Sequence, residues 1–332
     1  MSGLFAGVLG QESAVDTLCR ALAQDRVAHA YLFEGPSGVG KAKAALALAC
    51  ALTCTEAPRL GCGACPTCTR VQAGKHPDVR IFTPRDEGNR NLPVEVVRED
   101  ILPFTKFAPF EAAGACLIFP EADVSFPVQH AEAANAMLKT LEEPRARVTF
   151  ILLSERPDRL LPTIRSRAQT VRFTGLRPAL LRSILSQHGV AETAQDAAIA
   201  LAQGSADRAI ALAEEGRAER LLDTVLRADA AVADRRIGAV LDLADEIAGS
   251  DERHLLLDTL ALFYRDVATL ALIGPAAVLS FPQRAELIAS RADMVGARRA
   301  AERVQTIDAT REALGRNANP ETALDAMLFS FA

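Results

Sequence analysis

The chain has 332 residues, enough for two or three domains, and 49% of them are hydrophobic, which supports folded cores and excludes a disordered chain. Its formal net charge of −5 does not suit a protein that binds nucleic acid by itself. The first residues lack the basic region of a signal peptide, and no apolar run reaches the roughly 18 residues of a membrane span, so we expect a soluble, cytoplasmic protein.

The first part of the chain predicts helices that alternate with short, buried strands. Apolar residues at helical spacing predict an amphipathic helix between Gly10 and Val27. Apolar runs predict strands that end at Phe33 and that cover residues 79–82, 115–119 and 148–153. Further helices are predicted at residues 42–49, from Pro93 onward, and from about 130 to 143, before Pro144. This alternation predicts an α/β fold, a parallel sheet with flanking helices and right-handed crossovers.

A glycine-rich loop follows the first predicted strand and precedes a run of strong helix formers. It has the sequence Gly-Pro-Ser-Gly-Val-Gly-Lys over residues 35–41. Strand, glycine loop, lysine and helix in this order are typical of a P-loop, whose backbone N–H groups surround a polyphosphate while the lysine reaches the terminal phosphates. A chance match is the alternative, and the strand-to-helix context argues against it. The candidate nucleotide-binding residues of the loop are Gly35, Ser37, Gly38, Gly40 and Lys41.

Two groups that would hold the magnesium ion of a bound nucleotide are absent. The P-loop pattern places Ser or Thr after the lysine, and this chain has Ala42. The third strand of a hydrolysing enzyme should end in Asp-Glu, but Pro120 replaces the aspartate and Glu121 keeps the second position. Because phosphoryl transfer depends on the metal, we predict a degenerate site with weak or absent ATP binding and no intrinsic ATPase activity. Asp123, further along the chain, is the alternative metal ligand.

Four of the seven cysteines lie close together in the sequence, at Cys54, Cys62, Cys65 and Cys68. Four thiolates suit one tetrahedral Zn²⁺ ion, and no candidate catalytic group lies nearby, so we predict a closed, structural zinc site. An iron–sulfur site and buried thiols without a ligand are the alternatives. The other cysteines fall on apolar helix or strand positions and are predicted to lie in the core; they are Cys19, Cys50 and Cys116.

From about Arg177 the pattern predicts helices only. Short helices are predicted at residues 178–188, 194–202 and 206–214. The remainder, from about residue 217, is helical throughout, and its clearest helix carries Leu256, Leu260, Phe263, Val267 and Leu270 on one seam before Gly274. Further leucines lie off that seam, so this helix is predicted to be buried in a bundle or against partner chains.

Several stretches together resemble bacterial clamp-loader subunits of the AAA+ class. They are Gly-Gln at residues 10–11, His-Ala-Tyr-Leu-Phe-Glu-Gly at 29–35, Ala-Asn-Ala-Met-Leu-Lys-Thr-Leu-Glu-Glu-Pro at 134–144 and Leu-Pro-Thr-Ile-Arg-Ser-Arg at 161–167. The four-cysteine insert stands where those proteins carry zinc. The resemblance implies an AAA+ P-loop module over residues 1–175 with a zinc-binding insert at 54–68, a small helical lid at 176–217, and an all-α collar at 218–332 that joins five subunits in a ring.

Within that family, the motor subunits tau and gamma keep both the hydroxyl after the lysine and the Asp-Glu pair. This chain lacks them and is therefore similar to the delta-prime branch, which does not hydrolyse ATP. That resemblance implies a part in loading the sliding clamp onto primed DNA, in a hetero-pentamer with motor and delta subunits. It also implies a place in the DNA polymerase III holoenzyme, a DNA-directed DNA polymerase and nucleotidyltransferase. A hydrolysing motor subunit and a free-standing, zinc-bound DNA-binding protein are the alternatives.

Two further positions are interpreted through the resemblance. Ser166 and Arg167 match the family's Ser-Arg-Cys finger motif, with Ala168 in place of the cysteine. The match implies that Arg167, which we expect after the fourth and last core strand, acts in trans on ATP held by a neighbouring subunit; an ordinary surface charge is the alternative. Asp207 stands where motor subunits carry a lid arginine that senses nucleotide, which again argues against ATP use.

Overall fold

The computed structural model describes residues 3–84, 91–142 and 147–331, and the chain divides into two compact units, Met1–Leu180 and Leu181–Ala332. The second unit contains both predicted helical segments, and their division near residue 217 stays a prediction. Across the described ranges, no helix combines the length and the apolarity that crossing a bilayer would require.

The first unit is built on a five-stranded parallel sheet with the strand order β2-β3-β4-β1-β5. The strands are β1 (Ala30–Glu34), β2 (Val79–Ile81), β3 (Ala115–Phe119), β4 (Val148–Ser154) and β5 (Gln169–Arg172). Its helices are α1 (Glu12–Ala23), α2 (Lys41–Thr53), α3 (Pro66–Gln72), α4 (Val94–Val96), α5 (Leu102–Lys106), α6 (Ala122–Ser125), α7 (Glu132–Glu142) and α8 (Pro162–Arg165). A π-helical turn, Val97–Ile101, joins α4 to α5. The predicted parallel α/β fold is confirmed.

The sheet has one strand more than the sequence predicted. β5 follows α8 and pairs with β1 at the edge of the sheet, and only Val171 of its four residues is buried. A short edge strand with one buried side chain has no apolar run from which it could be recognised. The predicted helix at 130–143 is observed as α7, while Glu143 and Pro144 lie outside the described residues.

The central strands are buried on both faces, which fixes where their ends lie. Every residue of β3 and β4 is buried, between one layer that includes α1 and α2 and another that includes α7. In the parallel register, Glu34 at the end of β1 is opposite Ser154 at the end of β4, and Phe119 of β3 is opposite Leu152. The segments that follow these three strands therefore leave the sheet at the same edge, where parallel sheets place their ligand sites.

The second unit is helical among its described residues, as the sequence predicted. Helix α9 (Pro178–Gln187) spans the boundary between the units, and the others are α10 (Glu192–Ala202), α11 (Ala206–Ala213), α12 (Arg217–Ala233), α13 (Ile237–Gly249), α14 (Arg253–Ile273), α15 (Ala285–Gly315) and α16 (Pro320–Phe331). Helix α14 contributes a broad buried surface that includes Leu257 and Leu262, which lie off its predicted seam. Its last turn is exposed, with Leu272 78% accessible.

The buried carboxylate of Asp78, next to β2, provides a test of the first unit. It accepts hydrogen bonds from the backbone N–H groups of Phe110, Glu111 and Ala112, the last two at 2.9 Å. Asp78→Asn puts an NH₂ group against at least one of these donors, so we expect it to lower the free energy of unfolding by about 2–3 kcal/mol. The measurement is the urea midpoint of the first unit.

Asp25→Asn is the matched control for that substitution. It removes an exposed ion pair with Arg59 (2.6 Å) and should cost less than about 1 kcal/mol. Equal midpoints for the two variants would contradict the role assigned to the Asp78 carboxylate.

Candidate nucleotide-binding site and metal centre

The P-loop connects β1 to α2 and depends on two glycines with unusual surroundings. Gly40, the residue before α2, has φ +99°, a left-handed conformation that glycine adopts without strain. A Cβ on Gly35 would lie 2.2 Å from the carbonyl oxygen of Phe173, so only glycine fits between the loop and the segment after β5. Of the other predicted loop residues, Gly38 also has a positive φ (+64°), and Ser37 is exposed. The loop thus has the backbone form that the sequence predicted.

The Lys41 side chain turns back onto the P-loop. Its ammonium group donates to the carbonyl oxygen of Gly35 at 2.6 Å and to that of Pro36, and the residue is 8% exposed. Burial lowers the pKa of Lys41, while the nearby carboxylates of Glu155 and Asp123 act in the opposite direction. The Lys41 ammonium group, which in a P-loop would contact phosphate, therefore donates to carbonyl oxygens of the loop itself.

Acidic residues follow the strands at the same edge of the sheet. Glu121 comes just after β3 and precedes the short helix α6. Glu155 comes directly after β4, and its charge acts on Lys41 although the sequence analysis did not select it. The sequence feature that could have identified Glu155 is its place just after a predicted strand. Ala42 and Pro120 stand where the magnesium ligands were expected, and neither has a side-chain oxygen.

Gln11 ties the P-loop to the segment after β5. Its side-chain amide donates to the carbonyl oxygens of Val39 (3.2 Å) and Thr174 (2.7 Å), and its oxygen accepts from the N–H of Thr174 (3.0 Å). Gln11 is 4% exposed, so these bonds satisfy a buried amide. The sequence showed Gln11 only as part of a recognisable stretch, and its partners are too distant along the chain to be inferred from spacing.

The four clustered cysteines converge on one point. Their sulfur atoms all lie within 4.8 Å of one another, with separations of 3.7 Å (Cys54–Cys62), 3.8 Å (Cys54–Cys65) and 4.0 Å (Cys62–Cys68). A tetrahedral ion with bonds of about 2.3 Å to sulfur needs sulfur–sulfur distances of about 3.8 Å. The cluster therefore has the donor set and the spacing that one zinc ion requires.

Backbone N–H groups are directed at these sulfur atoms. Ala57 donates to Cys54 (3.3 Å), Cys65 to Cys62 (3.2 Å), and Cys68 to Cys65 (3.4 Å) at the start of α3. Burial raises the pKa of Cys54, but hydrogen bonds from Ala57 and Cys62 outweigh it and bring the pKa down to about 7. Such donors stabilise thiolates, the form in which cysteine binds metal.

The net change in pKa is the opposite for three other thiols: burial raises the pKa of Cys68, within the cluster, and of two cysteines outside it. Burial raises the pKa of Cys50 to about 11 and that of Cys116 to about 12, so both remain protonated thiols in the core. Cys19 is partly buried and packs against the same core.

Arg167 follows β4, the fourth predicted strand, and lies between α8 and the edge strand β5. Its guanidinium group donates through Nε (2.9 Å) and Nη2 to one carboxylate oxygen of Glu142, the last residue of α7. Its Nη1 donates to the carbonyl oxygen of Thr163 (3.0 Å). The Arg167 side chain is 32% exposed, so solvent still reaches it. Arg167 thus lies at the protein surface, and its hydrogen-bond partners belong to α7 and to the segment around α8, not to the P-loop.

The region around Asp207 contains an arginine with a structural contact. Arg208, its neighbour in α11, forms an ion pair with Asp258 of α14 at 2.8 Å, and Arg311 of α15 binds the other oxygen of the same carboxylate at 2.7 Å. Arg208 therefore joins helices of the second unit. Asp207 lies in the first turn of α11.

Comparison with known proteins identifies the family of this chain. The family model described as "DNA polymerase III, delta subunit" matches residues 10–177, just over half of the chain. The chain belongs to this DNA polymerase III delta-subunit family. The matched residues contain the P-loop, the cysteine cluster and Arg167, and they extend over all five strands of the sheet.

Individual members of the DNA polymerase III family are similar over parts of their length. DNA polymerase III subunit delta′ of Bacillus subtilis is 36% identical over 180 residues, 54% of this chain and 52% of that protein. The delta′ subunit of Pseudomonas aeruginosa is 38% identical over 141 residues, 42% of this chain and 41% of that protein. Subunit tau of Salmonella typhimurium is 31% identical over 299 residues, 82% of this chain and 45% of that protein. The chain spans about half the length of the curated relatives that it matches. The predicted resemblance to delta-prime subunits is confirmed.

The cysteine cluster generates a prediction about metal content. We expect one zinc ion per chain, bound by Cys54, Cys62, Cys65 and Cys68, because the four sulfur atoms already have the spacing of a tetrahedral site. Elemental analysis of protein purified without added metal measures the content. Chelation should lower the melting temperature by more than about 2–4 °C, since binding and local folding are linked.

A pair of variants makes that measurement specific. Cys62→Ser should lose the zinc, whereas Cys19→Ser, outside the cluster, should keep it. Iron in the purified protein, or four reactive thiols and no metal, would contradict the prediction.

Proposed function

We propose that this chain is a non-hydrolysing, delta-prime-type subunit of a clamp loader, in the DNA polymerase III holoenzyme. The observation that carries the proposal is the state of the nucleotide site. A complete P-loop backbone has its lysine bound to the carbonyl oxygens of Gly35 and Pro36. The two side chains that would hold magnesium are replaced by Ala42 and Pro120.

Both features oppose hydrolysis for electrostatic reasons. A polyphosphate entering the loop has to displace two carbonyl oxygens from Lys41 before the ammonium group can contact it. Its magnesium ion then finds neither the hydroxyl nor the aspartate that normally anchor it, and phosphoryl transfer relies on that ion to neutralise developing charge. Glu121 remains where it would orient water, but water alone does not replace the metal.

The proposed partners follow from family membership. The proteins most similar in this comparison include delta′ and tau subunits of DNA polymerase III. We place the chain in a hetero-pentamer with motor (tau/gamma) and delta subunits, which together load a sliding clamp onto primed DNA. The net charge of −5 supports contact with DNA through the complex rather than through this chain alone.

Arg167 is the residue proposed to act on ATP in a neighbouring subunit. A guanidinium group donates in a fixed fork and keeps its charge, so it binds phosphate oxygens as readily as the carboxylate of Glu142. Exposed ion pairs contribute at most about 1 kcal/mol, so a neighbour's triphosphate can displace Glu142 from Arg167 at little cost. A chain without magnesium ligands of its own has no use for this arginine in cis.

A hydrolysing motor subunit is the second candidate. It is favoured by one observation, the 31% identity to a tau subunit over 82% of this chain. The nucleotide site supports the first candidate, because tau-type hydrolysis needs the magnesium ligands that Ala42 and Pro120 cannot supply.

The first test is ATP turnover by the chain alone. We expect no magnesium-dependent hydrolysis above background, because the metal has no protein ligand. The double variant Ala42→Thr/Pro120→Asp supplies both oxygen ligands and should bind ATP more tightly with Mg²⁺ than without it, a difference that the unmodified chain should lack. Magnesium-dependent turnover by the unmodified chain that disappears in Lys41→Ala would instead identify a motor subunit.

The second test uses the assembled complex. The chain mixed with motor and delta subunits should elute as one pentamer, and Arg167→Ala should leave this assembly intact. The loss of an arginine finger lowers turnover at the served site by about 10³–10⁵-fold. Because other motor sites remain, total DNA-stimulated ATPase should fall only in part, and clamp loading should fall further.

Arg165→Ala is the matched control, since Arg165 lies in the same short segment and donates to the carbonyl oxygen of Pro157 (3.3 Å). It should leave ATPase and clamp loading unchanged. If Arg167→Ala also leaves both unchanged in an intact complex, Arg167 is an ordinary surface charge. Failure to assemble at all would overturn the proposed membership of the complex.

A further inference from the structure

A cavity of about 600 Å³ opens in the second unit, between α12, α15 and α16. Four arginines line it, and we call it the arginine pocket: Arg235, Arg291, Arg299 and Arg303. Apolar side chains that include Val232 and Met294 form part of its wall. Its volume lies in the range of small-molecule sites, about 300–1,000 Å³, and its wall combines apolar surface with a few convergent polar groups, as such sites do.

The carboxylates of the arginine pocket are already engaged. Asp229, which is 2% exposed, forms an ion pair with Arg291 and accepts a hydrogen bond from the hydroxyl of Tyr264 at 2.9 Å. Burial, together with the Asp229 charge, raises the pKa of Tyr264, so the hydroxyl keeps its proton. The other carboxylate, Glu302, pairs with Arg298, which does not line the cavity.

Among the described residues, three guanidinium groups of the pocket therefore have no carboxylate partner. Arg303 donates only to neutral oxygens, the hydroxyl of Tyr264 (3.1 Å) and the carbonyl of Phe331, and it lies over both aromatic rings. Arg235 and Arg299 are exposed, and neither forms an ion pair within the described part of the chain. In an acidic protein, four arginines and two carboxylates line this concave surface, a local excess of two positive charges.

The backbone of α15 adds to this charge. Its helical path is broken at Gly296, where φ is 73° and ψ is 160°, a conformation that only glycine adopts readily. Arg291 and Met294 precede the break, and Arg299 and Arg303 follow it. The segment 297–315 thus starts beside the pocket, and the N-terminal end of a helix carries a partial positive charge that favours anions.

We propose that the arginine pocket binds a phosphate-bearing small molecule of nucleotide size. A single side-chain carboxylate carries one negative charge and would leave part of this excess uncompensated, whereas a di- or triphosphate compensates it fully. Guanidinium forks bind phosphate oxygens in pairs, and the apolar wall suits the organic part of such a ligand. The site is separate from the P-loop, since all of its lining residues belong to the second unit.

The test is calorimetric titration of the full chain with tripolyphosphate, ATP and inorganic phosphate at low salt. We expect tripolyphosphate and ATP to bind at micromolar to sub-millimolar concentration and to be retained in Lys41→Ala, which separates this site from the P-loop. The double variant Arg235→Gln/Arg299→Gln should weaken binding by about tenfold or more, since each charge-assisted bond contributes substantially. Both side chains are exposed, so the melting temperature should not change.

Arg316→Gln is the matched control, because Arg316 lies at the end of α15, its side chain is 81% exposed, and neither it nor its partner Glu312 lines the cavity. It should bind as the unmodified chain does. No binding of either polyphosphate, equal weakening in Arg316→Gln, or binding that disappears only in Lys41→Ala would overturn the proposal. Tight binding of poly-glutamate or of single-stranded oligonucleotide without binding of the small phosphates would also overturn it.

Discussion

The first unit depends on the position of β1 between β4 and β5. In this parallel sheet, the ends of β1, β3 and β4 lie at one edge. The P-loop, Glu121 and Glu155 come directly or shortly after these strand ends. The loop is then fixed from outside the sheet, because the Phe173 backbone packs against Gly35 and the Gln11 amide binds Val39. Packing at Gly35 and the side-chain hydrogen bonds of Gln11 hold the loop against the segment after β5.

The nucleotide site lacks side chains that its expected ligand needs, whereas the cysteine cluster has the full set of donors for a metal ion. In the nucleotide site, the backbone is complete, while Lys41 is satisfied by the loop itself and the metal ligands are missing. In the cysteine cluster, all four sulfur donors are present at the spacing of a tetrahedral ion, and N–H groups support three of them. The same first unit thus contains a cysteine cluster that could hold a metal ion beside a P-loop without the two expected magnesium ligands.

The sequence was most informative where a feature is local. The strands β3 and β4 are continuous apolar runs, and the P-loop and the cysteine spacing are short patterns, so each could be predicted before the fold was known. Features that join distant segments could not be predicted: the partners of Gln11 lie as far as Thr174, and the partner of Arg167 is Glu142 on another helix. The arginine pocket likewise exists only where α12, α15 and α16 meet.

The strand order also sets a sequence of events during synthesis. Ala30 of β1 pairs with Phe150, so the strand that carries the P-loop has no partner in the sheet until β4 has been made. At about 5–20 residues per second, that interval lasts roughly 6–24 s. The cysteine cluster closes within residues 54–68 and joins the end of α2 to α3, so a metal ion can bind it long before the sheet is complete. On the ribosome, a metal ion that joins α2 to α3 would hold the apolar residues of α2 together before β4 and β5 are available to pair with β1.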